Sequence, residues 1–272
     1  MMRALVLGGG GVTGVAWETG LLYGLEQEGL RLRDADRLVG TSAGSVVSAQ
    51  VAGSTPLQEL YRRQVEGAST EIPGSLGFRG TVQLVVDLML AIDKEAGLRR
   101  LGRKAVRATD PAMVGQRRGV IEQRLPQHEW PDRDLRITAV DVESGALRVF
   151  DPASGVGLVD AVSASCAVPL VWPVVEIDGR LYMDGGMWSG TNVQLAKGCD
   201  RIVVIAPENI GLTKDLRALG QGVRTAIITP DADAKVARGR NSLDPAARRP
   251  SAEAGLAQAH RVAEQVRAVW DA

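Results

Sequence analysis

The chain has 272 residues, which suits one large α/β domain and is long enough to bury a sizeable core. Its 32 basic and 32 acidic residues balance, so charge gives no reason to expect a nucleic-acid partner. Two cysteines, Cys166 and Cys199, are too few for a disulfide framework in a chain of this length. No segment approaches the ~18 uninterrupted apolar residues of a membrane span, and we expect a cytoplasmic protein.

The first fifth of the chain predicts two strands, each followed by a glycine-containing turn and a helix. Residues 3–7 are apolar and end at a glycine run, residues 8–14, as expected of a buried strand and its loop. Residues 15–28 have apolar side chains at helical spacing. The pattern then repeats, with a predicted strand at 38–41 and a helix-compatible stretch at 46–52. Two strand–turn–helix units therefore begin the chain.

The second of these turns contains the motif Gly-x-Ser-x-Gly. Ser42 lies between Gly40 and Gly44, where side chains would collide with the neighbouring strand and helix as the backbone turns sharply. A serine at such a turn projects its hydroxyl outward, beside the positive end of the helix dipole. A lone pentapeptide of this kind is more often a plain turn. A catalytic interpretation therefore requires a base and an oxyanion site elsewhere in the chain.

The first glycine run has two interpretations. Gly9, Gly11 and Gly14 fit the dinucleotide fingerprint Gly-x-Gly-x-x-Gly, which also requires an acidic residue after the second strand. The available acids, Asp34 and Asp36, precede the predicted second strand instead. The other interpretation is an oxyanion hole, because consecutive glycine amides without side chains can donate to a developing negative charge.

The rest of the chain shows no internal repeat and no domain boundary, so we expect a single domain over residues 1–272. Residues 55–65 predict a helix, residues 67–81 a loop, and the apolar residues 82–92 a core or lid helix. The polar stretch 231–251 predicts an exposed loop. The remaining predicted strands are 133–142, 147–150, 174–177, 181–183, 201–206 and 225–229, and the remaining helices are 160–167 and 252–269.

A catalytic serine needs a base, and histidine is scarce in this chain. His128 lies in a proline-bounded loop and His260 in the last predicted helix, and neither follows a strand, which disfavours a Ser-His-Asp triad. Asp184 ends a predicted hairpin strand and is followed by Gly185 and Gly186. An aspartate with a pKa of about 4 is a weak base toward a serine, so burial and a strong oxyanion site would have to assist it.

Together, the three stretches form a more specific pattern than any one of them. The chain resembles the patatin-like phospholipase family in the order of three units. These are a strand, glycine loop and helix, then a strand, Gly-x-Ser-x-Gly turn and helix, and last a strand followed by Asp-Gly-Gly. The resemblance extends to ASCAVP at residues 164–169 and IDGRLYMDGG at residues 177–186, and it covers roughly residues 3–206.

This resemblance implies a three-layer α/β/α fold with a mainly parallel central sheet. It also implies a serine hydrolase that cleaves acyl esters of lipids through an acyl-enzyme, without a metal ion or an organic cofactor. Ser42 would be the nucleophile and Asp184 its base. The oxyanion amides would come from Gly9, Gly10, Gly11 and Val12, with Gly14, Gly40, Gly44, Gly185 and Gly186 as supporting motif glycines.

One departure from the family concerns the substrate. Many members carry Arg or Lys where this chain has Thr13, so the charge that this position offers an oxyanion or a phosphate headgroup is lost. Seven basic residues against one acid between positions 99 and 118 suit either peripheral contact with a membrane surface or a solvated face. Trp17, Trp172 and Trp188 suit an acyl groove or plain core packing. A nucleotide-binding protein and a catalytically silent relative that acts by binding remain alternatives.

Overall fold

The structure, a computed structural model, describes residues 1–66, 72, 74, 93–209 and 211–271. The predicted loop at 67–81 lies outside these ranges except for two positions, and the predicted helix at 82–92 lies outside them entirely. In chain order the strands and helices are β1 (Arg3–Leu7), α1 (Gly11–Gln27), β2 (Arg37–Thr41), α2 (Ala43–Ala52), α3 (Leu57–Val65), α4 (Lys94–Ala108), α5 (Pro111–Arg124), β3 (Asp134–Asp141), β4 (Leu147–Phe150), α6 (Leu158–Ser165), β5 (Val175–Ile177), β6 (Arg180–Asp184), β7 (Arg201–Ile205), α7 (Leu212–Arg217), β8 (Arg224–Ile228), α8 (Ala232–Arg238) and α9 (Arg248–Trp270).

The strands form one mixed sheet in the order β5-β6-β3-β2-β1-β7-β8, with β4 paired to β3. The run β3-β2-β1-β7-β8 is parallel, whereas β4, β5 and β6 pair antiparallel. The predicted α/β class with a mainly parallel sheet is therefore confirmed. Parallel strands need crossover helices, and α1 between β1 and β2 is the first of these.

Strand β3 has a register that places two other strand ends against each other. One edge of β3 pairs with β4, opposite residues 137–140. The other edge pairs first with β2, ending at Thr41 opposite Thr138, and then with β6, beginning with Asp184 opposite Ala139. The C-terminal ends of β2 and β6 therefore meet head to head along the same edge of β3.

Both faces of the sheet are buried, which gives the three layers. Along β1, Leu5 and Leu7 join the larger hydrophobic core with α1, α2 and α9. Ala4 and Val6 point to the other face and pack with the short 3-10 helix Val193–Ala196 and α7. This alternation is the period-two pattern of a strand covered on both sides.

Two element boundaries differ from the sequence prediction. Helix α1 begins at Gly11, four residues earlier than predicted, so the second half of the glycine run is helical. The stretch 231–251, predicted as an exposed loop, contains α8 and the start of α9, so that prediction is wrong. The Asp231 side chain accepts a 3.0 Å hydrogen bond from the Ala234 amide and caps α8, a local signal that the polar composition obscured. Across the described ranges, no helix is both long and apolar enough to cross a membrane.

Candidate active site

Ser42 lies at the sharp turn between β2 and α2. Its backbone has φ 52° and ψ −117°, an uncommon conformation for a residue with a side chain. The flanking glycines permit the close packing around it, because a Cβ at Gly40 would overlap Ser48 and a Cβ at Gly44 would overlap the Leu7 carbonyl. Ser42 is therefore held at a sharp, tightly packed corner between a strand and a helix.

Helix α6 and the residue after it hold this turn in place. The Ser42 amide donates to Ser165 Oγ at 2.9 Å, and the Ser42 carbonyl accepts from the Cys166 thiol at 3.3 Å. The same carbonyl accepts a 2.6 Å hydrogen bond from the Ser45 hydroxyl. Cys166 was not predicted to contribute to the site, and its only signal of a role was its place in the ASCAVP stretch.

Asp184 meets the Ser42 side chain directly. The Ser42 hydroxyl donates to Asp184 Oδ2 at 2.7 Å, and the Gly186 amide donates to Asp184 Oδ1 at 2.7 Å. The Asp184 amide donates to the Ala167 carbonyl at 2.9 Å, which fixes the end of β6. Asp184 is 1% exposed and Ser42 is 7% exposed, so the pair is shielded from bulk water.

Burial raises the pKa of Asp184 to about 7. The hydrogen bonds from Ser42 and Gly186, and then the positive charge of Arg117, offset part of this rise. A carboxylate with a pKa near neutrality is a stronger proton acceptor than an ordinary aspartate, yet it is still substantially ionised at neutral pH.

Asn192 links the ends of β2 and β6 to β3 next to Ser42 and Asp184. Its side-chain amide donates to Thr41 Oγ1 at 3.0 Å and lies 3.3 Å from both Thr138 Oγ1 and the Gly185 carbonyl. A Cβ at Gly185 would overlap Thr138, and one at Gly186 would lie 2.9 Å from Asp184 Oδ1. The Asp-Gly-Gly sequence therefore brings the backbone of this turn against β3 and the carboxylate.

The glycine loop faces Ser42 with unused donors. The Gly9 amide donates to the Gly190 carbonyl at 2.8 Å, so it is already engaged. No hydrogen bond within the described ranges uses the amides of Gly10, Gly11 and Val12. A Cβ at Gly9 would lie 3.5 Å from Ser42 Cβ, so the loop packs against Ser42.

Helix α2 adds a donor that the sequence prediction did not include. The amide of Ala43, the first residue of α2, likewise makes no hydrogen bond to the described residues. A Cβ at Gly14 would approach the Ala43 side chain to 3.2 Å, so α1 and α2 begin side by side. The N-termini of both helices, with their positive dipole ends, therefore lie at the Ser42 cleft.

Thr13 is buried and turned toward the C-terminal part of the chain. Its amide donates to the Ser242 carbonyl at 3.1 Å, and its hydroxyl lies 3.3 Å from the same carbonyl and 3.4 Å from the Gly10 carbonyl. The hydroxyl therefore joins the glycine loop to the segment between α8 and α9.

The competing candidate residues lie elsewhere. His128 Nε2 lies 3.1 Å from the Glu122 carbonyl and His260 Nδ1 lies 2.6 Å from Glu28 Oε1, so both rings bond to residues other than Ser42 and Asp184. Asp36 accepts a 2.7 Å hydrogen bond from the Arg3 amide. It therefore lies where β1 and β2 begin, at the end opposite the glycine loop. A dinucleotide ribose at that loop has no acidic partner in this position.

Ser42 lines a narrow cleft with a volume of about 10 Å³, and the sequence prediction did not assign one arginine beside it to the site. Arg117 on α5 is 8% exposed, and its guanidinium carbon lies 4.2 Å from the centroid of the Trp172 ring. Trp17, by contrast, donates its indole N–H to Gln258 in the core, and the Lys94 ammonium lies over the Trp188 ring. Neither tryptophan lines this cleft. The lining residues are Gly11, Val12, Ser42, Ala43, Arg117, Arg124, Cys166, Val168, Trp172 and Leu243.

Among solved structures, VipD from Legionella pneumophila is similar to this chain. It has 13% identity and a TM-score of 0.51, and the match covers 97% of this chain and 67% of VipD. The type III effector ExoU has 18% identity and a TM-score of 0.44, with 97% of this chain and 53% of ExoU covered. ExoU in complex with SpcU, from the type III secretion system of Pseudomonas aeruginosa, has 15% identity and a TM-score of 0.42, with 100% and 53% covered. The chain thus spans about half the length of ExoU, and the likeness to VipD shows a shared fold.

Sequence comparison gives the family. A search of curated proteins finds no match. The family model for patatin-like phospholipases matches residues 5–197, which is well over half of the chain and includes both Ser42 and Asp184. The chain belongs to the patatin-like phospholipase family.

Proposed function

We propose that the protein is a serine hydrolase that cleaves acyl esters of lipids with a Ser42–Asp184 dyad. The observation that carries the proposal is the 2.7 Å hydrogen bond from the Ser42 hydroxyl to the buried carboxylate of Asp184. Membership of the patatin-like phospholipase family supports lipid hydrolase activity. The strained backbone at Ser42 gives further support, because such strain is common at catalytic turns.

In the first step Ser42 Oγ attacks the ester carbonyl, and its proton passes to Asp184 Oδ2 along the existing hydrogen bond. The raised pKa of Asp184 makes this transfer more favourable than it is for an exposed aspartate. We assign stabilisation of the oxyanion to the amides of Gly10, Gly11 and Val12, with the Ala43 amide as a fourth candidate, because none of these amides is used within the described ranges.

In the second step the tetrahedral intermediate collapses. The bond to the leaving alcohol breaks, Asp184 returns the proton to the alcohol oxygen, and the acyl group stays on Ser42. A water molecule then gives a proton to Asp184 and attacks the acyl carbonyl. The proton returns to Ser42 Oγ as the fatty acid leaves, so both residues end in their starting states.

A fluorophosphonate probe tests this proposal. We expect the probe to label Ser42 in the wild type, and we expect Ser42→Ala and Asp184→Asn to lower ester hydrolysis by ~10³-fold or more. Ser54→Ala is the matched control, because Ser54 is an exposed serine whose hydroxyl accepts from Gln127 outside the site. Hydrolysis that stays undiminished in either dyad variant, or a label elsewhere than Ser42, would overturn the dyad.

A further inference from the structure

A second cavity adjoins the cleft over Ser42. It has a volume of about 340 Å³ and lies between α5, the residues after α6 and the hairpin of β5 and β6. Arg117 lines both this cavity and the Ser42 cleft. Ala167 lines the cavity and Val168 lines the cleft, so the two spaces are also adjacent along the chain. A group bound in the cavity would therefore lie close to the nucleophile, with a guanidinium between them.

Arg117 is held in place by an aromatic side chain. Its guanidinium lies over the Trp172 ring, and stacking of this kind restricts the orientation of the planar group. Its charge also lowers the pKa of Asp184, which shows that the two groups are electrostatically close. An oriented guanidinium in a largely buried position is well suited to bind a phosphate with two parallel hydrogen bonds.

The glycine loop, residues 8–14, contains no charged side chain. Its one polar side chain is that of Thr13, whose hydroxyl lies within bonding distance of the Gly10 and Ser242 carbonyls. The glycine loop therefore supplies no positive charge to the site. Arg117 provides a positive charge from α5, and Arg117 and the glycine loop both line the Ser42 cleft.

Among the described lining residues, this cavity has acidic groups and the Ser42 cleft has none. Glu176 and Asp178 belong to the β5–β6 hairpin and line the cavity, whereas Asp160 is already paired with Arg118 at 2.9 Å. Arg117 lines both spaces, whereas Glu176 and Asp178 line the cavity alone, so the acidic groups lie farther from the Ser42 cleft than Arg117 does. A ligand with a negative phosphate near Ser42 and a positive group beyond it would match this order of charges.

We propose that this cavity is a headgroup site for zwitterionic phospholipids, in which Arg117 binds the phosphate and Glu176 and Asp178 face the ammonium group. The inference rests on the proposed function, because the scissile ester must lie at Ser42. In a glycerophospholipid the phosphate is only a few bonds from the esters, so the adjacency of cleft and cavity suits one substrate molecule.

The test compares three substrates that differ in charge. These are p-nitrophenyl butyrate, which is neutral, and the dihexanoyl forms of phosphatidylcholine and phosphatidylglycerol. We expect Arg117→Gln to lower kcat/KM for phosphatidylcholine ~10-fold more than for the neutral ester, with Arg117→Lys intermediate because lysine offers only a point charge. The control Arg100→Gln removes an equal charge from an exposed position on α4 and leaves all three rates unchanged.

The double variant Glu176→Gln/Asp178→Asn tests the role of these two acidic groups in the cavity. Asn suits position 178, where φ is 51°, because it tolerates left-handed backbone. We expect this variant to lose the preference for phosphatidylcholine over phosphatidylglycerol while it still hydrolyses the neutral ester. An unchanged preference for phosphatidylcholine over phosphatidylglycerol would show that Glu176 and Asp178 do not bind the ammonium group.

Loss of folding is distinguished from loss of recognition by the neutral ester and by a measurement on the wild type. Glycerophosphocholine should inhibit hydrolysis of p-nitrophenyl butyrate competitively, and more strongly than inorganic phosphate or glycerol at the same ionic strength. Equal inhibition by the three compounds would overturn the headgroup site. So would an equal fall in kcat/KM for the three substrates in Arg117→Gln. A wild type that hydrolyses no ester, with no label on Ser42, would instead refute the proposed function.

Discussion

Thr41 and Asp184 lie against neighbouring residues on the same edge of strand β3, Thr41 opposite Thr138 and Asp184 opposite Ala139. Because Ser42 follows Thr41, the register of one strand sets the separation of the proposed nucleophile and its base. Two strands that run toward each other place their last residues together without a flexible loop between them. A rigid arrangement of this kind keeps the reacting groups in position before substrate binds.

The pH dependence of hydrolysis should follow the titration of Asp184. The carboxylate must be ionised to take the Ser42 proton, and burial raises its pKa to about 7. We therefore expect kcat/KM to fall as the pH is lowered through about 7, rather than near 4 as for an exposed aspartate. A pH–rate profile on a neutral ester measures this, and a profile that stays flat down to pH ~5 would contradict it.

Arg117 should change the same profile in a defined direction. Its positive charge favours the ionised form of Asp184 and lowers the pKa of that residue. In Arg117→Gln this effect is lost, so the acid limb should move to higher pH. The surface variant Arg100→Gln is the control and should leave the limb in place.

Asp184→Asn should stabilise the folded protein at alkaline pH. The folded-state pKa of Asp184 is raised above its unfolded value, so the folded state favours the protonated form. The stabilisation that this gives is complete below pH ~4 and is lost as the pH rises through 7. Asparagine stays neutral and can still accept from the Gly186 amide. We expect a gain on the order of 2 kcal/mol at pH ~8 and little change at pH ~4, measured by urea unfolding at both pH values. A loss of stability at pH ~8 would contradict the burial argument.

Alanine substitutions at two positions of the glycine loop should affect stability and hydrolysis differently. A Cβ at Gly10 would overlap Pro207, whereas a Cβ at Gly9 would make only an ordinary 3.5 Å contact with Ser42 Cβ. Gly10→Ala should therefore lower both the melting temperature and the hydrolysis rate. Gly9→Ala should change stability by less than ~1 kcal/mol and yet slow hydrolysis, because its methyl group lies against the nucleophile. Equal melting temperatures for the two variants would argue against this packing of the loop.

Ser165 and Ser163 offer a matched pair on helix α6. Ser165 Oγ accepts the Ser42 amide at 2.9 Å, whereas the buried Ser163 hydroxyl has no hydrogen-bond partner in the described part of the chain. Ser165→Ala should cost ~1–2 kcal/mol of stability and slow hydrolysis, since it leaves the amide of the strained turn unpaired. Ser163→Ala should cost less in thermal unfolding. A larger loss for Ser163→Ala would show that the hydrogen bond to Ser42 contributes little.

Local features of this protein were predictable because they depend on neighbours in the chain. The turn at Ser42 requires glycines two residues to either side, and the turn at Asp178 and Gly179 requires left-handed backbone, so both are visible as sequence patterns. The helical stretch after residue 231 was missed, because its cap, Asp231, lies among polar residues that resemble a loop. The single domain over 1–272 and the peripheral membrane contact stay predictions.

The three stretches that carry the proposed chemistry were recognisable from the sequence, since each is a strand followed by a turn of glycines. How these stretches meet depends on the folded chain. The register of β3, the Ser165 acceptor for Ser42 and the Arg117 guanidinium beside the cleft depend on contacts between residues far apart in the chain. Such contacts leave no local periodicity, and burial, which raises the pKa of Asp184, exists only once the chain has folded around it.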